Sequence, residues 1–212
     1  MAEDQPARDC PLCPRLKDFR DQNARDYPDY FNAPVPSFGA GNPKLLIVGL
    51  APGLHGANRT GRPFTGDYAG DLLYTTLLKL GLARGTYDRR IDDGLELVGC
   101  RIVNSVHCVP PQNKPLPIEI NTCNQFLKAS IESHREAKAL LALGAIAHDA
   151  ALKALGEKKS AHKFGHGARH QLKDGRVLID SYHCSRYNTN TGVLTPAMFE
   201  AAVGAAKAAA GL

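Results

Sequence analysis

The sequence has 212 residues, 43% of them hydrophobic and 22% charged, which is a globular composition with enough length for one full-sized core. It has no apolar run near the roughly 20 residues of a membrane span, and "MAEDQPARDC" at its N-terminus lacks the apolar core of a signal peptide. Both features argue against a membrane or secreted protein, and we expect a cytoplasmic one. The formal net charge of +5 favours an anionic partner such as nucleic acid only weakly.

Strands and helices alternate along the chain after a polar N-terminal region. Residues 1–43 are rich in charge, proline and aromatic side chains, and only 16–23 suggest a short helix. Buried parallel strands are predicted over four apolar runs: 45–50, 98–106, 137–144 and 176–183. Helices are predicted over 66–85, 118–134, 145–156 and 195–212.

This alternation predicts an α/β fold with a central parallel sheet and helices on both faces, in a single domain spanning residues 1–212. Ligand sites in such sheets lie at the carboxyl ends of the strands. Three polar loops follow predicted strands, over 51–67, 107–117 and 183–194. We therefore expect these loops to converge on one crevice.

Four of the six cysteines have the spacing of one metal site. "CPLC" supplies Cys10 and Cys13, Cys108 follows the second predicted strand, and Cys123 lies in the next helix. Four thiolates suit tetrahedral zinc or a [4Fe–4S] cluster, and the spacing alone does not choose between them. Either group would pin the N-terminal residues 1–43 onto the core. The alternative is that Cys108 and Cys123 are small buried hydrophobic residues and that Cys10 and Cys13 are an incidental pair.

The other two cysteines carry weaker signals. Cys100 lies within a strand pattern, which predicts a core position. Cys184 follows His183 and could be a nucleophile beside its base. Neighbouring residues on an extended segment point to opposite faces, however, so this pairing is disfavoured.

The loop "GLAPGLHGANRTGRPFTGD" (49–67) does not match the common phosphate-binding loops. It has no lysine for a P-loop and no GxGxxG for a dinucleotide fingerprint. Glycines at 49, 53 and 56 would instead let the backbone approach a ligand closely. Phe64 offers a flat face for a ring, although core packing is its alternative. Hydrogen-bonding groups come from Asn58, Arg59 and Thr60.

Three segments carry a resemblance to a known family: "GLAPGLHGANRTGRPFTGD", "NSVHCVPPQNKP" and "HCSRYNTNTGVLT". They are similar to the signature segments of the uracil-DNA glycosylase superfamily, and the chain most resembles its family 5 (type b) enzymes. The resemblance runs from Cys10 to about Thr195. It implies a three-layer α/β/α sandwich around a central four-stranded parallel sheet. It also implies a [4Fe–4S] cluster, in preference to zinc, on the four cysteines.

Two features of this sequence are informative within the resemblance. Leu50 and Ala51 stand where other branches of the superfamily carry an acid in the first loop, as they do in family 5. The third segment has Cys184 where the family usually has proline after the histidine. The chain therefore lacks both the common loop acid and a rigid turn after His183.

The resemblance implies catalytic roles for Asp67, His183 and Asn188. A base flipped out of the duplex would be held by stacking and by hydrogen bonds to its edge. His183 would stabilise the departing base anion at O2, and Asp67 would position or activate water. Asp67 could instead cap the following helix. Asn188 would help to hold water or substrate.

Substrate-binding roles are expected for a larger set. These residues are Gly49, Ala51, Gly53, Phe64, Asn104, Ser185 and Arg186. Asn104 could give a uracil edge a two-point amide contact. Residues 185–192 are expected to form a polar hairpin that wedges into the duplex. The basic, histidine-rich segment 157–170 could contact phosphate, hold a second metal or be a solvated loop.

The leading hypothesis is a monofunctional DNA glycosylase that removes uracil, since the first and third of the three family-like segments contain no lysine to form a Schiff base. The resemblance implies tolerance of other deaminated bases such as hypoxanthine or xanthine. The expected partner is single- or double-stranded DNA, bound by a monomer. The alternative is a protein that binds uracil sites in DNA with little or no turnover.

Overall fold

The structure is a computed structural model that describes residues 4–212. Its strands are β1 (Phe38–Gly39), β2 (Leu45–Gly49), β3 (Ala83–Arg84), β4 (Glu96–Leu97), β5 (Cys100–Asn104), β6 (Ala139–Leu143), β7 (Arg169–Gln171) and β8 (Val177–Ser181). Its helices are α1 (Pro14–Asp26), α2 (Ala57–Thr60), α3 (Tyr68–Lys79), α4 (Pro117–Ser133), α5 (Ala145–Ala154), α6 (Arg186–Asn190) and α7 (Pro196–Ala210). Short 3-10 turns lie at Pro111–Asn113 and Lys159–Ala161.

The main sheet has the strand order β1-β5-β2-β6-β8-β7. Its four middle strands are parallel, in a register that pairs Leu45 with Cys100 and Leu143 with Ser181. This confirms the predicted parallel sheet. The antiparallel edge strands β1 and β7 were not predicted, because two or three residues are too few for a hydrophobic period.

The sheet is covered on both faces, as the continuous apolar runs predict. Residues of α3 and α7 pack on one face, where Tyr74 and Phe199 are fully buried. Residues of α4 and α5 pack on the other face. The result is a three-layer α/β/α arrangement. Each fully buried large apolar side chain stabilises it by about 1.5–3 kcal/mol.

Two predicted elements were wrong in detail. The helix predicted over 66–85 ends at Lys79, because Gly81 turns the chain at φ 71° and residues 83–84 pair with β4. The hairpin predicted over 185–192 is the short helix α6 followed by a turn at Gly192. Within residues 4–212, no helix is both long and apolar enough to span a bilayer.

Candidate functional site

The three polar loops converge on one crevice, as predicted. A cavity of about 610 Å³ opens at the carboxyl ends of the parallel strands. The predicted residues that line it are Ala51, Gly53, Asp67, His183, Ser185 and Arg186. Leu50 lies in the same wall, and the second loop contributes Asn113. The first and third loops therefore supply most of this surface.

A smaller cavity of about 40 Å³ adjoins the crevice and shares part of its wall. It brings together Phe64, Asn104, Asp67 and His183, which belong to three separate segments of the chain. An aromatic face, an amide, a carboxylate and an imidazole thus surround one space. This is the part of the crevice with the chemistry to hold and process a small planar group.

Phe64 forms an aromatic wall of this space. Its ring lies over Gly49, where an added Cβ would come within 2.8 Å of a ring carbon, so only glycine fits at 49. The ring also stacks on that of His183, with centroids 6.1 Å apart and an interplanar angle of 30°. Phe64 has φ 53°, a left-handed conformation that costs energy for a residue with a bulky side chain.

Asn104 ends β5 and places an unpaired acceptor at this site. The residue is 3% exposed, and its Oδ1 has no hydrogen-bond partner within residues 4–212. A Cβ on Gly49 would collide with this oxygen, so Gly49 leaves room for it as well. A buried acceptor without a partner costs about 1–3 kcal/mol. An N–H donor on a ligand would recover that free energy.

Asp67 both caps a helix and faces the cavities. Its Oδ1 accepts a hydrogen bond from the Gly70 N–H at 3.0 Å, so the capping alternative is confirmed. The other oxygen, Oδ2, lies over Gly53 and Gly56, where added Cβ atoms would be 3.3 and 2.5 Å from it. Burial raises the pKa of Asp67, although the hydrogen bond from Gly70 opposes this. One carboxylate oxygen is therefore committed to structure and the other lies at the site.

His183 follows β8 and lines both cavities. Burial lowers its pKa, which favours the neutral imidazole. The Asn188 amide donates from Nδ2 to the His183 carbonyl at 2.8 Å, and Ser185 Oγ accepts from the Asn188 N–H at 3.3 Å. Asn188 itself lines neither cavity. Its observed contact is with the backbone of His183.

Cys100 and Cys184, the two cysteines outside the set of four spaced cysteines, lie in the core. Cys184 is fully buried with Leu194 and Phe199, so burial of its side chain anchors the turn after His183. Cys100 is also fully buried, as predicted, and burial raises its pKa to about 12. Burial raises the pKa of Cys184 as well, which disfavours the thiolate that a nucleophile requires.

A buried ion pair that the sequence did not reveal fixes the loop around Phe64. Arg62 is 2% exposed and donates two hydrogen bonds to Asp93, at 2.8 and 2.7 Å. Its Nε also donates to Thr65 at 2.7 Å, and the hydroxyl of Tyr87 donates to the Phe64 carbonyl at 3.2 Å. Phe64 is thus held on both sides. Asp93 has no sequence signal, since it lies 31 positions from its partner.

The polar residues of the first loop divide into structural and exposed ones. Asn58 is buried and donates to Asn32 Oδ1, and Thr60 contacts backbone carbonyls. Arg59 is exposed, with its guanidinium close to Gly66 at the crevice. Arg186 is also exposed, over the ring of Tyr68 at 5.5 Å. The two arginines place positive charge at the rim.

The four spaced cysteines surround one small apolar cavity. Cys10, Cys13, Cys108 and Cys123 line a space of about 20 Å³, together with apolar side chains such as Leu16 and Phe126. None of the four forms a disulfide. Burial raises the pKa of Cys108 to about 11 and that of Cys123 to about 12. Four thiols gathered in one space are a donor set of the kind that zinc and iron–sulfur sites use.

A second group of possible ligands includes His170 from the histidine-rich segment 157–170. Ligand atoms of His148, His170 and Asp180 lie within 4.8 Å of one another. They already hydrogen-bond to each other, however: Asp180 accepts from His148 Nδ1 at 2.7 Å and from His170 Nε2 at 2.9 Å. His148 Nε2 donates to the His162 carbonyl at 2.9 Å. We therefore interpret this cluster as a buried ion-pair network.

This network is expected to make stability fall at alkaline pH. Burial alone lowers the pKa of His148, but Asp180 outweighs it and the net pKa is raised. The stabilisation is thus complete below the unfolded value of about 6.5 and is lost as pH rises through the folded value, at up to about 1.4 kcal/mol per pH unit. In urea unfolding between pH 6 and 9, the free energy of unfolding should fall more steeply with pH in wild type than in His148→Gln. His134→Gln removes a half-buried histidine outside this network and should match the pH slope of wild type; equal slopes in all three proteins would contradict the assignment.

Comparisons with known proteins give one consistent result. Residues 36–207 match the family model described as the uracil DNA glycosylase superfamily. A "Type-5 uracil-DNA glycosylase" from Thermus thermophilus is 44% identical over 208 residues, covering 96% of this chain and 94% of the relative. Relatives with the same name from Mycobacterium leprae and Pyrobaculum aerophilum are 42% and 41% identical. They cover 96% and 88% of this chain, and 92% and 82% of their own lengths.

Proposed function

This chain belongs to the uracil DNA glycosylase superfamily, and we propose that it excises uracil from DNA by hydrolysing the bond between base and deoxyribose. The observation that carries the proposal is the convergence of Phe64, Asn104, Asp67 and His183 on one cavity. A glycosylase must flip the target nucleotide out of the stack into such a pocket. The rest of the site is then interpreted in terms of this reaction.

Base recognition rests on Phe64 and Asn104. The flipped base stacks against the Phe64 ring. The unpaired Oδ1 of Asn104 accepts from the N3–H of uracil, and its amide nitrogen donates to O4. Because Oδ1 has no partner among the described residues, binding recovers the free energy of a buried acceptor.

Bond cleavage leaves negative charge on the base and positive charge on the sugar. Neutral His183 donates a hydrogen bond to base O2 and stabilises the anion as it forms. Asp67, through Oδ2, orients the attacking water and stabilises the sugar cation. We assign Asn188 the role of positioning His183, since its amide holds the His183 carbonyl.

The enzyme is proposed to be monofunctional. None of the described residues that line the two cavities is a lysine, so no amine is placed to form a Schiff base with the sugar. Hypoxanthine and xanthine are further proposed substrates, because Leu50 and Ala51 leave a crevice wall without charge. Single- or double-stranded DNA as substrate, a monomeric state and a cytoplasmic location remain predictions.

DNA is proposed to contact α6 and the rim. Tyr187 is 73% exposed at the start of α6, next to Arg186 at the crevice. An exposed aromatic side chain can fill the gap that a flipped nucleotide leaves in the stack. Ser185 and Arg186 would then contact the adjacent backbone. Gly49 and Gly53 leave room for the base and Ala51 lines its wall.

A [4Fe–4S] cluster is proposed on Cys10, Cys13, Cys108 and Cys123. The fit rests on four unpaired thiols in one apolar cavity, with Arg20 donating to Cys108 Sγ at 3.3 Å and to the Cys10 carbonyl at 3.2 Å. When bound, the cluster supplies iron–thiolate bonds that cross-link the N-terminal segment to β5 and α4. Such a structural role requires no electron transfer.

The cluster gives a direct prediction. Protein purified without oxygen should be brown and carry about four iron atoms per chain. Cys123→Ala should lose most of this iron and the visible absorption, because it removes one ligand. Cys100→Ala is the matched control: that thiol is equally buried but outside the cavity, so its iron content should equal that of wild type. A colourless protein containing zinc would overturn the assignment.

The test of function is excision from uracil-containing oligonucleotides. Purified protein is incubated with single- and double-stranded substrates, and abasic sites are then cleaved with alkali. Strand cleavage only at uracil supports the proposal. Tight uracil-dependent binding without cleavage would instead favour the alternative, a binding protein, which the absence of an acid at Leu50 and Ala51 motivates.

A further inference from the structure

Beyond the proposed catalytic groups, an aromatic cluster stands at the lip of the crevice. Tyr27 and Tyr30, just after α1, stack with ring centroids 4.8 Å apart at an angle of 18°. The ring of His55, in the first loop, meets both nearly at right angles, at 5.5 and 6.1 Å. His55 is exposed and lines the crevice.

The cluster is held in place by the chain beneath it. The Phe31 N–H donates to the Arg59 carbonyl at 3.1 Å, and the Asn32 N–H donates to the Asn58 carbonyl at 3.2 Å. The Asn58 side chain also donates to Asn32 Oδ1 at 2.9 Å. Residues 27–32 are therefore tied to the first loop, and the tyrosines keep a fixed position relative to the crevice.

The Tyr30 hydroxyl contacts the imidazole of His55. The phenol oxygen lies 3.1 Å from His55 Nδ1. In the tautomer in which the phenol donates to Nδ1, the imidazole proton lies on Nε2. Within the described residues, Nε2 of His55 has no hydrogen-bond partner. That tautomer places an N–H donor at the crevice lip.

The surroundings of this donor favour an anionic ligand. Arg59 places a guanidinium near Gly66 on the same lip, and Arg186 places another over Tyr68. A phosphodiester group accepts hydrogen bonds from both imidazole and guanidinium, and phosphate contacts fix the register of a protein on DNA. The cluster therefore has the chemistry to position a strand rather than to process a base.

We propose that Tyr30 and His55 form a phosphate-binding pair for the DNA strand next to the flipped nucleotide. His55 Nε2–H donates to a phosphate oxygen, and the Tyr30 hydroxyl fixes the imidazole for that contact. The proposal rests on the proposed function, since it takes DNA as the ligand. It adds the N-terminal segment after α1 to the DNA-binding surface.

The pair is tested by single-turnover excision at increasing enzyme concentration, with a uracil-containing duplex at pH 8. His55→Ala and Tyr30→Phe should raise the half-saturating concentration about tenfold, the loss expected for a hydrogen bond to a charged group. The maximal rate should stay within about twofold, because neither residue touches the reacting atoms. Tyr27→Phe keeps its ring and should bind like wild type. An unchanged half-saturating concentration in His55→Ala, or a fall in maximal rate alone, would overturn the proposal.

A change in the DNA identifies the partner atom. Phosphates flanking the uracil are replaced one at a time by uncharged methylphosphonates. Replacement at one position should weaken DNA binding by wild type about tenfold. The same replacement should have no further effect on binding by His55→Ala, because that variant has already lost the contact. Full additivity at every position would show that His55 contacts no phosphate.

The two proposals can fail separately. If wild type excises no uracil, the proposed function fails. Binding of the same duplexes, measured by fluorescence anisotropy, still tests the phosphate pair in that case. If wild type excises uracil and the His55 and Tyr30 variants bind DNA as wild type does, the proposed function is supported and the phosphate-binding role of the pair is rejected.

Discussion

Replacing Asp67 with asparagine is expected to slow uracil excision by about 10²–10⁴-fold, the range for loss of a positioned acid–base group. The amide keeps the shape of the carboxylate but cannot accept a proton from water or stabilise a sugar cation. It can still cap α3, since asparagine and aspartate are about equally good N-caps. The loss should therefore appear in the maximal single-turnover rate, with the thermal midpoint almost unchanged.

The pH dependence of excision checks the same assignment. Because burial raises the pKa of Asp67, the acid limb of the wild-type rate profile should lie above the ordinary aspartate value of about 3.9, and it should disappear in Asp67→Asn. Asp71→Asn is the matched control, since Asp71 lies in the first turn of the same helix but pairs with Arg89. Its rate should stay within about twofold of wild type. A wild-type rate in Asp67→Asn would remove Asp67 from the mechanism.

Replacing Asp93 with alanine is expected to cost about 3–5 kcal/mol in the free energy of unfolding, because Arg62 would remain buried without a counter-charge. Burial alone raises the pKa of Asp93, but hydrogen bonds from Arg62 and two backbone N–H groups hold it well below the ordinary value. The carboxylate is thus charged at neutral pH. Urea unfolding at pH 7 measures the loss in the free energy of unfolding.

An exposed ion pair in the neighbouring hairpin is the control. Arg84 and Glu96 are 74% and 61% exposed, so Glu96→Ala should cost less than about 1 kcal/mol. The double variant that replaces both Arg62 and Asp93 should lose less free energy of unfolding than the two single variants lose in sum, because the two charges are removed together. A loss in Asp93→Ala no larger than that in Glu96→Ala would show that the pair does not anchor the loop.

The parallel strands and the location of the crevice could be predicted from the sequence. The run "LLIVG" is apolar throughout because both of its faces are covered, and such runs indicate a parallel sheet. Once that sheet is assigned, the loops after its strands must meet at one edge. The positions of Asp67 and His183 at the crevice follow from that geometry, although their chemical roles stay predictions.

Edge strands, helix ends and residue partners could not be predicted in this way. β1 and β7 are strands only because β5 and β8 provide their hydrogen bonds. Asp93 shows no local pattern, and its role depends on burial beside Arg62. The helix α6 replaces a predicted hairpin, with the Ser185 hydroxyl capping its N-terminus.

The fold class, the grouping of the four cysteines and the loops that line the crevice could therefore be inferred from residue order alone. Hydrophobic period, glycine placement and motif order are local properties, and a chain records them in consecutive residues. The three-dimensional arrangement sets which groups meet and which are buried: Tyr30 contacts the exposed His55, Arg62 is buried with Asp93, and Asn104 is buried with an Oδ1 that has no partner among residues 4–212. The physical reason is that the free energy of a polar group depends on its burial and its partners in space, and neither is recorded in the spacing of residues along the chain.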